Sequence, residues 1–298
     1  MSPVTMKDIA RELHLSVSTV SRALQDHPDI NTNTKNRVFK KANELNYQPN
    51  SIARSLRQNK SKTLGVIVPE IRHNFFSDVL DGIEDMAYQS GYYIMVCKSN
   101  EDYEREVKNV RAMISNRVAG VLISVAQSTK SGEHFKNLQK QNMPLVFFDR
   151  VWEELPVCRV QLDDKDAAFK VVEHLVKMGY RKIAHLGGPQ HLTIAKQRYE
   201  GYLDALKSYD LPTSDLSVIF GGMNEEDGIT GLRRLLREKH DFDAIFAVND
   251  PVAIGVYEES KSRNIVIPEK FGLVGITNDP VSALVEPGLT TMEQPGYA

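Results

Sequence analysis

Two cysteines in 298 residues, Cys97 and Cys158, are too few and too far apart for a disulfide framework or a Cys-x-x-Cys metal spacing. Each lies in a strand-like apolar run, so both are expected to be buried thiols of a reducing compartment. The eight histidines contain no i,i+4 pair and no ligand cluster, so neither a metal nor another cofactor is expected. No apolar run reaches membrane-spanning length, and no apolar signal region opens the chain. A cytoplasmic protein without a membrane partner is expected. The stretch "LGGP" at 186–189 is not a Gly-rich phosphate fingerprint, and no G-x-S-x-G elbow is present. Catalysis is therefore not expected. Residue-level repeats and low-complexity segments are also absent.

The composition that remains is ordinary for a globular chain, with 41% hydrophobic and 26% charged residues. The net charge of −2 is unevenly spread. Residues 1–62 carry 11 Lys and Arg against 5 Asp and Glu, an excess of +6 that leaves −8 for the rest. A basic head on an acidic body predicts a polyanionic partner for the head. The competing reading is a solvated, charged helix face.

The first 60 residues read as helices. Thr5 is placed to cap a helix over Met6–Leu13, with Asp8 in the capping-box position and Ile9, Ala10 and Leu13 as its apolar stripe. His14–Leu15 makes a turn. The next stretch, "SVSTVSRAL" at 16–24, has four hydroxyls among nine residues, yet Val20, Ala23 and Leu24 recur at helical spacing behind the N-cap Ser16. Val38, Ala42 and Leu45 mark a third helix over Asn33–Leu45. Two short helices joined by a tight turn outline a helix-turn-helix, whose second helix lies in the major groove of DNA. Hydroxyls there can donate to phosphates and base edges, and Arg22 can pair with guanine. Ser18 and Arg22 point away from the Val20/Leu24 face, which suits base readout. Thr19 and Ser21 suit phosphate contact or capping. Val17 suits either a thymine methyl or a third place in the core.

From Thr63 the texture changes. Strand-like runs "TLGVIV", "YYIMVC", "GVLIS", "PLVFFD", "KIAHLGG", "LSVIFGG", "AIFAV" and "FGLVGI" alternate with helical stretches. The latter include Phe75–Gln89, Glu101–Ser115, Ala167–Met178, Ala195–Ser208 and Glu225–Arg237. This alternation predicts parallel sheets covered by helices, with ligands bound beyond the C-terminal strand ends.

The pair "MKDIARELHLSVSTVSRAL" and "NYQPNSIARSLR" resembles the LacI/GalR family of bacterial transcription regulators, and the resemblance extends over nearly the whole chain. It implies an N-terminal all-α helix-turn-helix headpiece over 1–49 and a hinge helix and linker over 50–62. An α/β core of two periplasmic-binding-protein-like subdomains with parallel sheets follows over 63–298. Subdomain 1 would span about 63–162 and subdomain 2 about 163–292. The resemblance also implies that Leu56 wedges into the minor groove, an insertion that costs a few kcal/mol and is offset by added contact. Arg54 and Arg57 would hold phosphates. Thr5, Ser16, Tyr47 and Asn50 carry over as further DNA contacts. Relatives continue for a few tens of residues past "LTTMEQPGYA", which marks an apparent truncation.

The implied function is a sequence-specific DNA-binding transcriptional regulator, by resemblance a repressor. It would bind a pseudopalindromic operator on double-stranded DNA as a homodimer, under control of a small-molecule effector, a sugar or sugar derivative. Candidate effector residues sit after strand-like runs: Phe75 and Phe76, Asp149 and Arg150, Arg198, Asn249 and Gln294. Phe75 also suits the core of a helix, and Asp149 with Arg150 suits a structural ion pair. Three departures join the candidate set or border it. His73-Asn74 stands where many relatives carry Asn-Pro, Met223 where many carry an aromatic, and Thr277 and Asn278 where many carry an acid. The alternatives are a free-standing sugar-binding protein, which would need a signal segment and no recognition helix, and a sugar-metabolising enzyme.

Overall fold

A computed structural model describes residues 4–47 and 61–297. The chain divides into two compact units, Met1–Ser61 and Lys62–Ala298, each described by itself. No helix among the described residues is long and apolar enough to cross a membrane.

The first unit packs α1 (Met6–Leu13), α2 (Val17–Leu24) and α3 (Thr32–Glu44) around Ile9, Ala10, Val20, Ala23, Val38 and Ala42. Asp8 reaches back to accept from the Thr5 backbone N–H at 2.9 Å and from its hydroxyl at 2.6 Å. α1 ends on His14 in the left-handed region (φ 53), which makes the tight turn into α2. The Ser16 side chain accepts from the Thr19 N–H at 3.0 Å and so satisfies one orphan donor of α2. α3 starts at Thr32, one residue before its expected start, because the Asn31 side chain accepts from the Thr34 N–H.

The second unit holds two five-stranded parallel sheets. β1 (Thr63–Val68), β2 (Tyr93–Lys98), β3 (Val121–Ile123), β4 (Leu145–Phe148) and β5 (Cys158–Val160) lie in the order β2-β1-β3-β4-β5. β6 (Ile183–Gly187), β7 (Val218–Phe220), β8 (Ala244–Ala247), β9 (Gly272–Thr277) and β10 (Thr290–Glu293) lie in the order β10-β9-β8-β6-β7. Counted from its own first strand, each sheet reads 2-1-3-4-5, the doubly wound order with its ligand crevice beside the first strand. β5 and β10 lie outside the eight quoted runs.

Helices α4 (Asn74–Gln89), α5 (Tyr103–Ser115), α6 (Glu133–Lys140), α7 (Asp164–Lys177), α8 (Thr193–Ser208), α9 (Glu225–Arg237) and α10 (Asp250–Ser262) complete the unit. In the second lobe, α7 and α8 bury Val171, Val172, Leu175, Tyr202 and Leu206 against one sheet face, while α9 and α10 bury Leu232, Leu235, Val252 and Val256 on the other. In the first lobe, α5 and α6 cover one face with Val110, Met113, Phe135 and Leu138. Phe76 of α4 packs with Val66, Val68 and Phe148 on the other.

Three expectations are corrected. The helix expected from Glu101 begins at Tyr103, because Asn100 (φ 55) and Glu101 (φ 60) are left-handed and Asp102 is the N-cap. The helix expected from Ala167 begins at Asp164, capped by Asp163. Neither cysteine is fully buried: Cys97 on edge strand β2 is half-buried, and Cys158 on edge strand β5 is exposed. An edge strand has a neighbour on one side only, so its apolar residues are not enclosed as central ones are.

α9 and α10 approach closely through glycine. A Cβ at Gly255 would overlap the Glu225 carbonyl oxygen, and one at Gly228 would overlap that of Val252. Gly255→Ala is expected to destabilise the second unit by about 1–3 kcal/mol through overpacking. The check is a lower denaturant midpoint at unchanged slope. An unchanged midpoint would show that the two helices part without cost.

Candidate functional site

In the first unit, α2 has two unlike sides. Val20, Ser21 and Ala23 are buried, while Ser16, Val17, Ser18 and Arg22 are exposed. Val17 is 40% exposed, which removes it from the core and leaves a methyl-bearing side chain on the outer face. The Ser16 hydroxyl lies 2.7 Å from that of Ser18 and 2.8 Å from that of Thr19, so these groups order one another before any partner arrives. Ser21, expected to contact phosphate or to cap, is 8% exposed on α2. Thr5 is exposed at the start of α1. Tyr47 is half-buried against the three-helix core, and that burial raises its phenol above the usual tyrosine range. Asn50, Arg54, Leu56 and Arg57 lie outside the described residues.

In the second unit, a cleft of about 450 Å³ lies between the two lobes. Its walls come from the C-terminal ends of nearly every strand. Glu70 to Phe76 follow β1, Lys98, Asn100 and Glu101 follow or end β2, Gln127 follows β3, and Asp149 and Arg150 follow β4. From the other lobe come Ile194 and Arg198 after β6, Met223 after β7, Asn249 after β8, Thr277 at the end of β9 and Gln294 after β10. Several of these turns are left-handed at non-glycine residues: Asn100, Glu101, Asp149 (φ 56) and Thr277 (φ 145). Strain of this kind costs on the order of 1–3 kcal/mol per residue and concentrates where side chains must be aimed.

Nine of the ten candidate effector residues meet here: Phe75, Phe76, Asp149, Arg150, Arg198, Met223, Asn249, Thr277 and Gln294. Asn278 does not. It is exposed and lines a separate small hollow with Asp78 and Glu293, because the backbone turns at Thr277 and again at Asn278 (φ 58). Of the two phenylalanines, Phe76 is the buried one and Phe75 the half-buried one, their rings edge-on at 5.1 Å.

Much of the cleft's polar chemistry is already committed within the protein. Arg198 is 1% exposed, and its guanidinium donates to Asp164 Oδ1 at 2.8 Å, the Val248 carbonyl at 2.6 Å and Gln294 Oε1 at 3.3 Å. Removing either member of the buried Arg198–Asp164 pair costs on the order of 3–5 kcal/mol, because the other is left charged and unpaired. Gln294 passes the link on, its Nε2 donating to Asp149 Oδ1 at 3.0 Å. Burial pushes the Asp149 carboxyl above its ordinary range, opposed by the nearby Arg150 and Arg198. Asn249 is used at both ends, donating to the Met223 carbonyl at 2.9 Å and capping α10 through the Val252 N–H. Arg150 donates through Nη1 to both oxygens of Glu101, at 2.7 and 2.9 Å, so the ion-pair reading describes Arg150 with Glu101 more closely than with Asp149.

His73 spans the cleft. Its Nδ1 lies 2.9 Å from Glu70 Oε1 in its own lobe, and its Nε2 lies 3.2 Å from Glu225 Oε1 of the opposite lobe. Its pKa rises to about 9, through the Glu70 hydrogen bond first and despite burial, with Glu225 adding to the effect. A second link joins the lobes where His191 Nε2 lies 2.6 Å from the Gln127 carbonyl. Sequence reasoning missed His73 as a bridge, and also Glu70, Lys98, Glu101 and Asp164. The signal was available for four of these: His73, Glu70, Lys98 and Glu101 sit at or just after strand C-termini, as Asp149 does.

A family model described as bacterial regulatory proteins, lacI family, matches residues 5–50, and one described as periplasmic binding proteins and sugar binding domain of LacI family matches residues 61–298. The chain is 31% identical to catabolite control protein A of Priestia megaterium over 99% of this chain and 88% of that one. It is 34% identical to the ribose operon repressor of Halalkalibacterium halodurans over 98% of this chain and 86% of that one. Among solved structures it resembles the lac repressor dimer bound to operator and the anti-inducer ONPF, with a TM-score of 0.85, 25% identity and coverage of 99% and 89%.

The His73 bridge has a pH signature. A histidine raised from 6.5 to about 9 adds stability that is complete below about pH 6.5 and is lost as pH rises through about 9. NMR titration of the His73 ring is expected to show a midpoint well above 6.5 that falls in Glu225→Gln. A midpoint near 6.5 that ignores the substitution would sink the bridge.

Proposed function

The chain belongs to the LacI family of bacterial regulatory proteins, and from that premise we propose how its two units divide the work. The protein is a sequence-specific DNA-binding transcriptional regulator rather than an enzyme. α2 enters the major groove, with Ser18 and Arg22 at base edges and Val17 against a thymine methyl. Ser16 and Thr19 set the start of that helix, and Thr5, Tyr47 and Asn50 add backbone contacts. Leu56 wedges the minor groove between Arg54 and Arg57. The protein works in the cytoplasm as a homodimer on a pseudopalindromic operator, as the lac repressor structure it resembles is a dimer on operator.

The cleft of the second unit takes the small effector, a sugar or sugar derivative. Phe75 offers a ring face, while Arg198, Asn249 and Gln294 set the wall it meets. Effector binding shifts the lobes against each other and so changes the affinity of the head for DNA. That coupling is reciprocal, so operator must change effector affinity by the same factor. Division of the core near residues 162–163, with the chain returning after Glu293, supports this reading: Gln294 sits on the return and touches residues of both lobes.

The observation that carries the reading is α2, whose buried stripe turns Val17, Ser18 and Arg22 to solvent on one face. An operator selected from random duplex by the full chain provides the test. Arg22→Ala is expected to cost about 1–3 kcal/mol of operator binding and to relax preference at one base pair. Leu56→Ala is expected to weaken operator binding while effector binding stays intact. If both variants bind the selected operator as the parent chain does, this assignment of the head is wrong.

A further inference from the structure

We infer that the effector carries a negative charge, as a sugar acid or a sugar phosphate does. This inference rests on the reading of the cleft as the effector site. The argument starts from the charged groups of the cleft wall and asks which of them the protein itself already satisfies.

The carboxylates are all engaged. Glu70 accepts from the His73 ring and from its backbone N–H. Glu101 holds Arg150 and accepts from the Gln127 N–H at 2.6 Å. Asp149 accepts from Gln294 at 3.0 Å and from the Ser124 hydroxyl at 3.3 Å. Each wall carboxylate thus already has an internal donor beside it, whereas two cations of the wall have no such partner.

The cations are not all engaged. Arg198 is neutralised by Asp164, and His73 lies between two carboxylates. Lys98, at the C-terminal end of β2, has no ion pair within 4 Å among the described residues. Arg72, exposed on the cleft rim, has none either and feels Glu225 only at longer range. Arg150, 6% exposed, is paired as well, through Nη1 with Glu101 and at 3.8 Å through Nε with Asp149. α4 and α8, whose first turns contribute Phe75 and Ile194 to the wall, have no side-chain cap. The cleft thus keeps two cations, Lys98 and Arg72, without an ion-pair partner among the described residues. Asn100 and Gln127, whose side-chain amides can both donate and accept, remain for the hydroxyls of the same ligand.

The test is calorimetric titration of the full chain with matched trios of hexose, hexuronate and hexose 6-phosphate in the gluco, galacto and manno configurations. At least one anionic member is expected to bind at least tenfold more tightly than its neutral parent, with affinity falling as salt rises. Lys98→Gln and Arg72→Gln, both on accessible side chains, are each expected to weaken that anion about tenfold and to leave the far-ultraviolet spectrum unchanged. Tightest binding by a hexuronate assigns a carboxylate, and by a hexose phosphate a phosphate. A neutral hexose that binds as tightly as its anions overturns the inference and leaves the effector reading standing. An anion that ignores both substitutions also overturns it. Silence across all nine sugars overturns both.

Discussion

Asp149, in the wall of the cleft, accepts from Gln294, and Gln294 is in turn held by a guanidinium that Asp164 neutralises. That relay runs from the second lobe through the returning chain to the first. Each buried charge in it would be prohibitive alone and is tolerable only in company. The two lobes are therefore joined by groups whose satisfaction depends on their relative position.

The two sheets make this possible by repeating one winding order. Each reads 2-1-3-4-5 from its own first strand, and each directs its strand C-termini at the same cleft. The relay, the His73 bridge and the His191 contact all leave from those ends. The outer layers of helices carry the apolar burial instead, in clusters on the two faces of each sheet. Apolar burial and polar linkage are thus placed in different parts of each lobe.

Local signals in the sequence were read well where the deciding physics is local. The three helices of the head follow from caps and apolar spacing within eight to thirteen residues, and α1 was bounded to the residue. The candidate cleft residues were found by a position rule, the end of a strand. The rule failed at Asn278, where two unusual backbone turns carry the side chain away. The rule holds for "PEIRH" and "KSNE" as it does for "FFDR", since His73, Lys98 and Glu101 also line the cleft. The two cysteines are less buried than expected for a different reason. Their burial depends on which neighbours stand beside them, and that is set by edge position in a sheet.

The sequence by itself determined the family, the helical head with its hydroxyl-rich second helix, the alternation of strand and helix, and the charge contrast between the ends of the chain. These depend on periods of two and 3.6 residues, on caps and on counts, all legible along one dimension. Only the tertiary structure decided which charges are satisfied. Asp149 and Gln294 are 145 residues apart, and His73 and Glu225 are 152 apart. A hydrogen bond reaches about 3 Å, so nothing short of the folded chain states who meets whom across such separations.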